Sequence, residues 1–300
     1  MERQQNSRLA LVGMVVAMLI FGSVGIIAPY TGLQAFELVF VRCVSASVFL
    51  GLGWFLSGQM RHEKWDKREL LRVACCGLAL VANWICLFRA FELMPVTVAV
   101  ALYYLAPVLV SLAGVLLLGE RLSALALLAI VVCFAGSALV AGIENQSLQS
   151  LLSSGPVWAL AAAVFYAALT VLGKGVQQLS PYAVACLQTL LGTLLLPMFV
   201  NFSAFSGLTP HHWAAILVIG AVHTGLVYYL FFGSIRALPT GLISALVYLD
   251  PVAAMVLDIC INGFRPSTVQ IVGIALMAFG LALSSIATRQ RKPQLQESPA

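Results

Sequence analysis

Ala245–Val256 reads ALVYLDPVAAMV, and Ala101–Leu112 reads ALYYLAPVLVSL. Each sets a proline in the middle of an apolar run, and the later copy places an aspartate directly before it. In a water-soluble chain an Asp-Pro pair marks a turn. Here the apolar sequence resumes at once and continues to about Ile261, so the pair lies inside an element rather than between two.

The composition explains how such a run arises. The chain is 61% hydrophobic and 9% charged, with a mean hydropathy of +1.01. Soluble domains carry about a quarter charged residues, so this chain cannot cover its apolar surface and is read as an integral membrane protein. Its net charge of +5 comes from scattered basic residues, without the patch or stripe that binds nucleic acid. The seven cysteines all fall in apolar runs, are odd in number and lack metal-ligand spacing, so they read as small hydrophobes. The first apolar run follows Arg3 and Arg8, but it is longer than a signal-peptide core and lacks an A-x-A-like site. It is expected to stay as the first helix.

A spanning helix needs about 20 mostly apolar residues. With Gly, Pro and charge clusters as breaks, the sequence predicts ten spans, near 9–29, 34–57, 71–91, 95–118, 122–142, 155–174, 181–201, 213–235, 239–261 and 266–287. Thirteen Lys and Arg residues fall on one side of this scheme. Only Arg42, Arg89 and Arg265 fall on the other. The positive-inside bias places both termini in the cytoplasm, in a plasma membrane or bacterial inner membrane.

A shift of 144 residues superposes the two opening stretches. Pro95 falls on Pro239, Tyr104 on Tyr248, Pro107 on Pro251, Gly119 on Gly263 and Gly136 on Gly280. From Trp84 to Ala141 the shift gives 15 identities in 58 ungapped positions, against on the order of five from composition. The chain therefore divides into a first five-helix repeat (1–145), a second (146–288) and a disordered cytoplasmic tail (289–300). Five is odd, so the second copy enters the membrane inverted. Inverted repeats are the mark of secondary transporters, with a site near the midplane between the halves. The predicted fold is an all-α membrane protein of ten helices in two inverted repeats around a central cavity.

These residues resemble a known family. FELMPVTVAVALYYLAPVLVSLAGVLLLGERLS (Phe91–Ser123) and IRALPTGLISALVYLDPVAAMVL (Ile235–Leu257) are similar to the repeat unit of EamA-type transporters in the drug/metabolite transporter superfamily. The Asp250-Pro251 pair, the loop at 119–123 and Arg42 early in span two match as well. The chain departs from the pattern at Ala106, where an acid would precede Pro107, and at Phe264, where the loop would carry a glutamate. The resemblance implies alternating access and a substrate among amino acids, other metabolites or drugs.

Candidate site residues follow from what is costly in a membrane. Of eleven acidic residues only Asp250 lies near the middle of a span. A carboxylate at a helix centre costs about 2.5–3.5 kcal/mol on insertion scales, so it must face a cavity or a partner. Ala254, Asp258 and Asn262 continue its helix face outward. Its bland role is to satisfy donors near the proline; its sharper one is to bind substrate and exchange a proton with an arriving cationic group. Pro107 and Pro251 each free the carbonyl four residues back, which is tolerated at membrane depth only in a protein interior or beside water. They mark the walls of one cavity, with Tyr103, Tyr104 and Tyr248 beside them. Arg42 either snorkels outward and pairs with Glu37, or offers a cation to a substrate carboxylate or to Asp250. Asn83, Trp84 and His223 sit near the middles of spans three and eight, and the repeat equates those spans. His211-His212 is weak as a metal signal. Small residues in spans five and ten (Cys133, Ser137, Ala141, Gly280, Ser284) allow close packing, within the chain or in a homodimer.

The function expected is a secondary transporter exporting an amino acid or related compound, with coupling to protons left as one alternative and no cofactor needed. The rival classes are a membrane-embedded enzyme, which lacks H-E-x-x-H and G-x-S-x-G motifs here, and a non-transporting receptor. No nucleotide-binding loop is present to couple ATP directly.

Overall fold

In hydrocarbon every backbone N–H and C=O must be satisfied within the chain, and the helix does this segment by segment. The structure, a computed structural model, describes residues 2–118, 124–141, 155–173, 175–238, 246–247 and 249–296. Among them there are helices and turns and no strand. In chain order the α-helices are α1 (Glu2–Ile27), α2 (Ala35–Leu56), α3 (Lys67–Leu93), α4 (Val96–Tyr103), α5 (Ala106–Leu118) and α6 (Ala124–Ala141). They continue as α7 (Gly155–Gly173), α8 (Pro181–Leu195), α9 (Pro210–Leu217), α10 (Val227–Ala237), α11 (Leu249–Ile261) and α12 (Thr268–Gln296). Among the described residues six helical stretches are long and apolar enough to cross a membrane, and Val96–Val110, Leu127–Val140 and Thr268–Leu283 are shorter apolar ones. α12 stays helical to Gln296, well into the stretch the sequence assigned to a disordered tail; Arg, Gln and Lys there are good helix formers. The loop at 119–123, the central linker, Pro239 and Tyr248 lie outside the described residues.

The predicted interruption of span four is present. α4 ends at Tyr103, the chain turns through Tyr104 and Leu105, and α5 starts at Ala106. Pro107 thus occupies the first turn of a new helix, where its missing donor costs nothing. Pro251 likewise falls in the first turn of α11, after a turn at Val247. The Val247 carbonyl accepts from the Asp250 N–H at 3.3 Å and from the Tyr104 hydroxyl at 3.4 Å. Span eight held a surprise. Between α9 and α10 the helix widens into a π-helix over Val218–Leu226. There Thr224 Oγ1 donates to the carbonyl of Ile219, five residues back, at 3.0 Å.

The helices pair across the two halves. α6 packs on α12, α3 on α7 and α8, α2 on α8 and the π-helix, and α1 on α10 and α11. α4 packs on α7 and α11. Small residues permit the closest approaches. A Cβ on Gly136 would lie 2.7 Å from the Gly273 carbonyl oxygen, and one on Gly280 would lie 2.5 Å from Cys133 Sγ. Cys133, Gly136, Gly273 and Gly280 of spans five and ten therefore serve each other within one chain. A Cβ on Gly22 would meet the Asp250 carbonyl oxygen at 2.5 Å, so α1 lies directly against the start of α11.

Carboxylates fasten the ends of the bundle. Asp66 caps α3 through the N–H groups of Arg68 and Glu69, each at 3.1 Å. Glu69 accepts from the N–H groups of Gln177 and Gln178, and Glu63 from that of Ser180, which ties the 59–70 segment to the entry of α8. At the other end Glu37 accepts from the Asn201 N–H and Glu92 from the Ala35 N–H.

Candidate functional site

Asp250 lies one residue into α11, beside the turn that precedes it. The other described carboxylates named above hold backbone amides. Asp250 instead accepts a hydrogen bond from the Tyr104 hydroxyl at 2.9 Å. Tyr104 is the apex of the break in span four, so the two interruptions meet through a phenol and a carboxylate. Around them stand Tyr103, whose ring is 6.2 Å from that of Tyr104, and Tyr166 of α7, 5.7 Å from Tyr103. Asp250 is within electrostatic reach of both.

Asp258 lies two turns further along the same face of α11 and is 1% exposed. Its Oδ2 accepts from the Thr97 N–H at 2.8 Å and its Oδ1 from Asn262 Nδ2 at 2.8 Å. It thereby caps the start of α4 from 161 residues away. Thr97 faces Asp258 while Tyr104 faces Asp250, so α4 and α11 run antiparallel. The polar stripe expected outward of Asp250 is thus a helix fastening at Asp258.

Arg42 is 5% exposed. Its guanidinium carbon lies 4.5 Å from the Trp84 ring centroid and 5.2 Å from that of Phe88, within cation–π range of both rings. Tyr228 of α10 hydrogen-bonds it, while Nε is buried without a partner. It pairs with neither Glu37 nor Asp250: among the described residues the one ion pair is Arg89–Glu92. Asn83 donates to the Ala162 carbonyl at 2.6 Å and reaches the Tyr103 hydroxyl at 3.5 Å. His223, in the π-helix, has Nε2 2.8 Å from Ser23 Oγ and Nδ1 3.3 Å from the Val218 carbonyl oxygen. His212 closes a capping box with Thr209, and His211 stands edge-on to Tyr30. Among the described residues no three His, Cys, Asp or Glu side chains form a metal-sized group.

The sequence-predicted residues therefore form two linked groups. Asp250, Tyr103, Tyr104 and Pro251 cluster at the breaks, and Asn83 joins them through Tyr103. Arg42 and Trp84 form a cationic pole, with His223 within reach of the arginine's charge. Pro107 shapes α5 just beyond. Sequence reasoning missed Ser23, Tyr166 and Tyr228. Their polar groups at mid-span depth were the available signal, but nothing in the chain told which face they take.

A cavity of about 260 Å³ adjoins the first group. Thr97, Val100, Ala101 and Tyr104 line it from one face of α4, and Pro251, Val252 and Met255 from α11. Its third wall is a stripe of α12 containing Met277, Ala278, Leu281 and Ala282. Val252 is 49% exposed, so the cavity opens on the outer side of the bundle.

Among the described residues, helices long and apolar enough to cross a membrane enclose a site of polar and aromatic side chains, the arrangement of a multi-pass membrane protein. The chain belongs to the EamA-like transporter family, whose model matches residues 8–142 and again 153–286. It is 47% identical to "Uncharacterized transporter YxxF" of Bacillus subtilis (strain 168), over 92% of this chain and 89% of that protein. It is 28% identical to "Uncharacterized transporter YwfM" of the same organism, over 46% and 48%. A solved structure, "Crystal structure of protein", matches with a TM-score of 0.61 and 21% identity, over 94% of this chain and 98% of that chain. That likeness is one of fold alone.

Proposed function

We infer that this chain is a secondary carrier that exports an amino acid or a related zwitterion by alternating access, driven by inward proton movement. The observation that carries the reading is Asp250. It is a mid-span carboxylate held by a tyrosine hydroxyl, while its neighbour Asp258 and the acids at the bundle ends are committed to backbone amides. An arriving ammonium group can replace the phenol as its partner and displace a proton. Arg42, a buried cation with an open donor and no carboxylate, suits the substrate's acid group. The same residues that bind the zwitterion would thus count the proton.

The ten-span, inverted-repeat scheme belongs to this reading. It is supported by the packing, which is nearly unchanged when each span is exchanged for its equivalent in the other half. Span three on six mirrors span eight on one, and span four on six mirrors span nine on one. The antiparallel run of α4 along α11 agrees. The charge bias then puts both termini in the cytoplasm, and the bacterial relatives favour a bacterial plasma membrane. A homodimer through spans five and ten would use the faces these helices turn away from each other. Cysteines placed at Gln59 and Ser298 should label from the cytoplasm and one at Gln146 from outside; labelling of Gln146 and Ser298 from one side defeats the scheme.

The functional test is Asp250→Asn in proteoliposomes with a pH gradient. Folded yield should stay near native because the amide is nearly isosteric, while gradient-driven amino-acid flux falls at least tenfold. Full driven flux in that variant would end the coupling reading, and lost yield with normal flux per folded molecule would make Asp250 structural.

A further inference from the structure

The cavity between α4, α11 and α12 adjoins the polar site and shares two residues with it. Tyr104 belongs to its wall and also donates to Asp250. Pro251, the next wall residue, follows Asp250 in the chain. A group seated in the cavity is therefore one side chain away from the carboxylate. Apart from the hydroxyl of Thr97, which is buried without a partner, the other walls are apolar, and the void exists because Ala101, Ala278 and Ala282 stand where larger residues would fill it. An engineered apolar cavity of about 150 Å³ holds benzene. The 260 Å³ here has room for a larger ring or a short alkyl chain.

We propose that this cavity is the hydrocarbon subsite of the Asp250 site: it takes a compact apolar group, and the ammonium carried by that group bonds to Asp250 as Tyr104 turns aside. The substrates it selects are apolar amines and amino acids with apolar side chains. The proposal rests on the reading of Asp250 as the substrate carboxylate. It assigns the selectivity for side-chain size to Ala101, Ala278 and Met255, none of which touches the polar groups. Tyr104 is the hinge between the two chambers, since its departure frees the carboxylate and opens the partition together.

The test is calorimetric titration of the full chain in lipid nanodiscs with n-alkylammonium ions from methyl to hexyl. In the native protein affinity should rise by roughly fourfold per methylene until the cavity is full. Ala101→Leu/Ala278→Leu fills the cavity and should flatten the rise beyond ethyl, while Met255→Ala enlarges it and should extend the rise. Bilayer partitioning is common to all three proteins and cancels in the comparison. If the filled protein does not fold, the Met255→Ala series decides alone, and an unchanged series in that protein overturns the proposal. Parallel slopes in native and filled proteins, n-alkanols binding as tightly as the amines, or no binding of the longer amines overturn it too. Methylammonium is too short to reach the cavity and reports on Asp250 alone. If Asp250→Asn leaves methylammonium affinity unchanged, the carboxylate reading itself fails; parallel slopes with Asp250 still required sink the cavity alone.

Discussion

Asp250 and Asp258 lie on one face of one helix, and both reach across to the same short helix, α4. They do opposite work. Asp258 is almost wholly buried, and its oxygens hold the Thr97 N–H and the Asn262 amide, so it closes an open helix start. Asp250 sits at the other end of α4, where its described partner is a hydroxyl that can swing away. A carboxylate bound to a backbone amide cannot leave without orphaning a donor. One bound to a phenol can. What separates the two acids is the kind of donor each holds, a backbone amide for Asp258 and a side-chain hydroxyl for Asp250.

The contrast can be broken at Asp258 first. Asp258→Ala removes a cap and strands a buried N–H, at about 2–4 kcal/mol in all. Thermal unfolding in detergent should show this loss, with flux per folded molecule within about twofold of native. Unchanged stability would mean that α4 is not fastened there. Gly22→Ala comes next. Its Cβ would meet the backbone of Asp250 and Ala254, and overpacking of this kind costs about 1–3 kcal/mol. Stability and Asp250-dependent flux should fall together; stability falling alone would separate the seat of Asp250 from its chemistry. The smallest effect is expected for Tyr104→Phe. Losing one hydrogen bond of about 1 kcal/mol should change substrate affinity by roughly fivefold and leave unfolding nearly unaltered. A larger stability loss than that of Asp258→Ala would reverse the two roles.

What the sequence shows of this arrangement depends on whether a feature is local. The break before Pro107 was legible because a proline's missing donor acts on its own helix. Asp250 was legible because charge at mid-span is rare whatever surrounds it. The cap on Thr97 was not, since its partner is 161 residues distant and only packing brings them together. Arg42 was flagged as a cation, but its seat against Trp84 and Phe88 needed α2 and α3 placed first. Tyr166 and Tyr228 were not legible, since nothing local tells which face of its helix a mid-span tyrosine takes. The wide turn at 218–226 was not legible either: its two glycines and its β-branched residues weaken an α-helix without saying that it will widen.

That wide turn has a consequence for register. A π turn carries one residue more than an α turn, and each residue of an α-helix advances about 1.5 Å and 100°. Were the five-residue turn to tighten to four, every side chain on one side of it would be indexed by one position relative to the other. His223 lies within the turn and Tyr228 just past it, one against Ser23 and the other against Arg42. The geometry is that of a vernier: one notch of winding, absorbed or released there, would re-aim α10 against α1 and α2.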